Sequence, residues 1–226
     1  MQRYNMFNQI HKALRAMLYE TSMQLQHAAF ENTEDAQDAI ESLQLVLKVF
    51  HSHASHEDEF VNPVMRRHAP SLADEFESEH ERDELLSVNL HNLVDAYRLA
   101  ADAQARLSVG YAITMAFNDF IAFNLYHMNK EEEKINELLW KHYSDEALKD
   151  ITHTIIAHIP PEEQKVETKW MMRGLNNAEI GRWLCAVKNN APDVVFRSLF
   201  TTAEEELPAG RWNDIKDALM EGAMMA

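Results

Sequence analysis

Two stretches, FHSHASHEDEFVNP at residues 50–63 and YHMNKEEEKINELLW at 126–140, carry the signature of the fold. In the first, His53 and Glu57 stand four residues apart; in the second, His127 and Glu131 do the same. Four residues is about one turn of α-helix, so each pair points from one helix face. Both faces are otherwise apolar. Stepping by three or four from Ile40 reaches Leu43, Leu47, Phe50, Ala54, Glu57, Val61 and Val64, with His53 bordering the row. The second row runs Ile113, Phe117, Phe120, Asn124, His127, Glu131, Ile135 and Leu138. Stripes of this period face a core, which predicts that both pairs turn inward on long helices.

The same period extends outward from these two stretches. A first helix is expected over 6–30, with Met6 or Phe7, His11, Leu14 and Leu18 in one row. The second spans 35–67, with Thr33 as its N-cap and Pro63 kinking or ending it. The third spans 72–101 behind Ser71 as N-cap, with Leu72, Phe76, His80 and Glu84 in one row. The fourth spans 105–143. Short links between long helices predict antiparallel neighbours, hence an all-α, up-down-up-down four-helix bundle over 1–143. A fifth helix over 144–158 starts at Ser144 and stops at Pro160-Pro161. With it, a tail of shorter helices containing Trp170, Trp183 and Trp212 forms an additional C-terminal helical segment, 144–226. Only 5 Gly and 6 Pro in 226 residues fit a helical class, and 46% hydrophobic residues suffice for a substantial core.

Composition also excludes several functions. A net charge of −16 repels nucleic acid and anionic membrane surfaces, so neither is expected as a partner. Cys185 is the only cysteine, which rules out a disulfide or a thiolate metal site within the chain. No apolar run approaches the ~20 residues that span a bilayer. MQRYNMFNQIHKALRAML lacks the layout of a signal peptide, and a cytoplasmic location is expected.

The chemistry lies in the order of ligand-type residues: His11, then His53 with Glu57, then His80 with Glu84, then His127 with Glu131. His11 and His53 are separated by 42 residues, and His80 and His127 by 47. Each helical hairpin repeats one set, and two hairpins packed together bring both sets into one core. A single buried histidine is most simply a hydrogen-bonded core residue. Six inward imidazoles and carboxylates on four stripes are too costly to bury unpaired, and metal ions account for all of them at once. Imidazole with carboxylate and no thiolate suits iron or manganese, although zinc or copper can occupy such donors in vitro. Asp58 and Glu132 are neighbouring alternatives, but the four-residue spacing favours Glu57 and Glu131. His51 and His56 point away from His53, and His68, His142, His153 and His158 lie near helix ends.

Over roughly residues 5–143 this pattern resembles the hemerythrin-like HHE domains. The resemblance implies two non-haem iron ions, oxo- or hydroxo-bridged, held by His11, His53, Glu57, His80, His127 and Glu131. It also implies small ligands: dioxygen, peroxide or nitric oxide. Where the oxygen carriers of the family have a further histidine after the third ligand, this chain has Glu84, either a seventh ligand or a hydrogen-bond partner of a ligand histidine. Extra carboxylate favours oxidised iron and disfavours oxygen carriage. The function expected from the resemblance is small-ligand handling in oxidative or nitrosative stress. The alternatives are an iron or oxygen sensor without turnover, as in an iron-sensing member within a ubiquitin-ligase subunit, and oxygen carriage or iron storage. Whether the chain is an enzyme stays open. The tail is a candidate homodimer surface through its tryptophans.

Overall fold

A computed structural model describes residues 3–220, and among these there is no strand. The helices are α1 (Asn8–His27), α2 (Thr33–His56), α3 (Asn62–Arg66), α4 (Pro70–Leu99), α5 (Ala103–Lys130), α6 (Asn136–His142), α7 (Asp145–His158), α8 (Pro161–Gly174), α9 (Asn177–Asn190), α10 (Asp193–Glu206) and α11 (Ala209–Met220). Local chemistry sets their starts. The Asn32 side chain, rather than Thr33, caps α2 by accepting from the Glu34 N–H, and Asp102 caps α5 by accepting from Ala105. α4 begins at Pro70, one residue ahead of Ser71, in the first turn where a missing N–H costs least. Ser144 caps α7 as expected, accepting from the Ala147 N–H.

The described residues form two compact units, one of residues 3–8 and 17–158, the other of 9–16 and 159–220. In the first, contacts at the two ends fix the helix directions. At one end Tyr97 Oη donates to the Phe30 carbonyl and Arg106 to that of Glu31. At the opposite end Arg3 pairs with Asp145 at 2.6 Å and donates to the Trp140 and Tyr143 carbonyls, while Trp140 Nε1 donates to the Tyr4 carbonyl. The chain therefore runs up, down, up, down. Leu43, Leu47, Leu90, Ile113, Phe117 and Phe120 fill the core, each stabilising the fold by roughly 1.5–3 kcal/mol on burial. The fifth helix, α7, belongs with this unit and not with the tail: Leu148 lies in a core cluster with Phe7, Val61, Phe76 and Ile135.

Two of the long helices are interrupted by π-helical turns, Glu57–Val61 between α2 and α3 and Glu131–Ile135 between α5 and α6. In each, the carbonyl of the first glutamate accepts from an asparagine N–H five residues on, Asn62 and Asn136. The extra residue rotates the helix on its C-terminal side. Met65 and Leu139 are therefore buried where Val64 and Leu138 were expected on the core row, and these two are only half-buried.

The second unit has its own core of Met172, Leu175, Ile180, Leu184, Leu199, Leu207, Trp212 and Ile215. Lys12 pairs with Glu179 at 2.6 Å, and a Cβ at Gly174 would collide with the Lys12 carbonyl, so only glycine permits that approach. Trp170 and Trp212 are buried, which withdraws both from the exposed surface that the sequence suggested for them.

Candidate metal centre

Each π turn begins on a carboxylate that the sequence singled out. Glu57 and Glu131 end regular α-helix and open the widened turn, and both are buried, Glu131 to 1% exposure. One turn back, His53 Nε2 lies 3.2 Å from Glu57 Oε1 and His127 Nε2 lies 3.1 Å from Glu131 Oε1. From α4, His80 places Nε2 3.4 Å from Glu57 Oε2 and 3.9 Å from Glu131 Oε1. Glu57, His80, His127 and Glu131 each offer one ligand atom, all within 4.8 Å of one another. His11 is fully buried on α1, in the segment that groups with the second unit.

The outer nitrogens of two of these rings are held by carboxylates. His80 Nδ1 is 2.8 Å from Asp58 Oδ1, and His127 Nδ1 is 2.8 Å from Glu79 Oε2. Lys130 in turn donates to Glu79 and Glu75. A carboxylate on one nitrogen puts the N–H there and turns the other nitrogen's lone pair to the centre, as metal-binding histidines require. Phe76 packs edge-on against the His127 ring and Phe123 stacks along it, fixing its plane.

Electrostatics point the same way. Burial disfavours charge on both imidazoles, but the surrounding carboxylates outweigh it. His80, beside Asp58 and Glu57, is raised to about 10, and His127, beside Glu131, Glu79 and Glu57, to about 10. Glu79 is held down to about 2 by the His127 hydrogen bond, against burial and with help from Lys130. The pocket thus gathers positive charge at the inward nitrogens, where protons and metal ions compete. The donor set fits a metal ion by its chemistry: imidazole nitrogens and carboxylate oxygens converge, and among the described residues the buried His80 Nε2 has only the ion-pair approach of Glu57 and Glu131, with no well-formed hydrogen bond.

Glu84 is not brought to this centre, which corrects its expected place as ligand or brace. Its side chain is 54% exposed and its Oε2 lies 3.1 Å from His51 Nδ1. The inward carboxylate on α4 is Asp83, three residues after His80, whose Oδ1 accepts from Asn124 Nδ2 at 2.6 Å. Burial raises the Asp83 carboxyl, while the Asn124 hydrogen bond and the nearby His127 and His80 pull it down.

A model of the Hemerythrin HHE cation binding domain matches residues 3–139, more than half of the chain. This chain belongs to the hemerythrin HHE cation-binding family. The HHE chain is similar to F-box/LRR-repeat protein 5 of Mus musculus, 24% identical over 178 residues that make up 76% of this chain and 24% of the relative. It is similar also to F-box/LRR-repeat protein 5 of Pongo abelii, 27% identical over 159 residues, 66% of this chain and 21% of the relative. The chain therefore spans less than a quarter of the length of these curated relatives. No solved structure matches it.

Within this HHE domain, the sequence row that included Asn124 marked a polar residue at a core position but assigned it no part in the centre. From the sequence Asp58 reads as an alternative ligand to Glu57, whereas in the fold it braces His80. Glu79 gives no signal of its own, since its partner lies on another helix. The repeat His-x3-Glu-x4-Asn, at 53–62 and again at 127–136, is the sequence trace of the two π turns.

Proposed function

We propose that the HHE domain is a non-haem di-iron protein whose ions are held by His53, Glu57, His80, His127 and Glu131, with His11 of α1 as the remaining imidazole. The observation that supports this most is the convergence of Glu57, His80, His127 and Glu131, with Asp58 and Glu79 on the outer nitrogens of the two histidines. Glu57 and Glu131 each present two oxygens and would help to hold the ions and balance their charge. Bound iron supplies open coordination positions and redox chemistry toward dioxygen, peroxide or nitric oxide, which suits handling of these molecules in oxidative or nitrosative stress. The protein's own part is to orient the imidazoles through Asp58 and Glu79, to balance charge with buried carboxylates, and to exclude bulk water with Phe50, Phe76 and Met128.

A second reading, sensing without turnover, draws on the relatives: the matched region is a minor part of a longer protein in each. The spectrum of iron-loaded protein before and after peroxide separates the two, since turnover supports handling and a change of oligomeric state without turnover supports sensing. The test of the centre itself is iron analysis of the parent chain and of His53→Ala and Glu131→Ala. Two irons per chain, lost in both variants, is the expected result; full iron content in both contradicts it.

A further inference from the structure

Asp83 and Asn124 lie beside the centre without being among its proposed ligands. They are 6% and 3% exposed. Asn124 Nδ2 donates to Asp83 Oδ1 at 2.6 Å and to the Phe120 carbonyl at 3.1 Å, which uses both of its N–H groups. What the pair has left are acceptors: the second carboxylate oxygen of Asp83 and the amide oxygen of Asn124. Both residues line a cavity of about 10 Å³ that His53, Glu57, His80 and His127 line too. That volume is about one water-sized sphere. Among the described residues, Asp83 has this neutral amide as its one hydrogen-bonding partner. Burying a carboxylate so is costly, and packing alone is served better by an apolar side chain, so the cost points to a role in the cavity.

We propose that Asp83, positioned by Asn124, makes this centre selective for small ligands that donate a hydrogen bond, water or hydrogen peroxide, over ligands that only accept, such as azide. The inference rests on the di-iron reading above. A ligand O–H finds an acceptor oxygen in the cavity wall, whereas an anion meets the carboxylate's negative charge on a side of the cavity where neither Asp83 nor Asn124 has an N–H left to offer.

The test is an azide titration of the iron-loaded full chain, followed by its absorption band, comparing parent with Asp83→Asn. The amide presents an N–H where an acceptor stood. Azide affinity is expected to rise about tenfold, one hydrogen bond's worth, with the iron content unchanged and peroxide consumption slowed. Asp83→Ser, which also offers a donor, is the second variant should the first not fold, and it shifts affinity the same way. Azide affinity unchanged in the folded variants overturns the proposal, as does loss of iron from both, which makes Asp83 a structural or ligating group. A parent chain that binds no iron sinks the di-iron reading itself. A parent that binds iron and azide beside unchanged variants sinks only the selectivity.

Discussion

Asp58 and Glu79 decide how two histidines face the centre, because each holds an Nδ1 at 2.8 Å. Replacing either by its amide, Asp58→Asn or Glu79→Gln, removes the charge and blurs the tautomer while keeping the shape. Iron affinity is expected to fall about 10–100-fold in each, measured by competition with a chelator, with helix content unchanged; unaltered affinity contradicts the orienting role. The same contacts set a pH dependence in the ion-free protein. His80 and His127 are raised to about 10 from 6.5, so their contribution to stability is fully present below 6.5 and is lost as pH rises through about 10. Glu79 is lowered to about 2 from 4.5, so its contribution is present above 4.5 and is lost as pH falls through about 2. Glu79 and His127 share one bond, which counts once. Chelator-treated protein is therefore expected to melt lower at pH 10 than at pH 6, by less in His80→Gln, and an equal drop in that variant contradicts the assignment. At this scale the inward turn of His53, Glu57, His127 and Glu131 was legible from their spacing. The choice between Asp83 and Glu84 was not, because offsets of three and four from His80 both lie on its side of the helix. The position of Asn124 on α5 settles it.

Long amphipathic helices and their order were legible because the apolar period survives over many turns. The π turns were not, since one added residue leaves the stripe nearly continuous and shows only as Met65 and Leu139 taking the places of Val64 and Leu138. Their position is informative: both begin on a buried glutamate of the centre, and such turns are frequent at functional sites. Helix packing supplies another constraint at Gly110, where a Cβ on α5 would run into the Phe30 ring. Gly110→Ala gains helix propensity but overpacks this corner. A net loss of about 1–3 kcal/mol is expected in urea unfolding, and a stabilised variant contradicts that packing.

On the scale of the whole molecule, the HHE match over residues 3–139 covers the four long helices and the two π turns. The chain carries a second helical core beyond them. The tail's helical spacing was legible, but its partition was not: α7 joins the first unit through Leu148 and Arg3–Asp145, contacts between residues too far apart in sequence for periodicity to reveal. Among the described residues no helix is long and apolar enough to cross a membrane. The account depends on cations at the meeting point of α2, α4 and α5, and anomalous diffraction at the iron edge from iron-loaded crystals tests that most directly. Two peaks about 3.5–4 Å apart, ringed by Glu57, His80, His127 and Glu131, are the predicted result. A single peak at the surface, or none within reach of these four side chains, would contradict it.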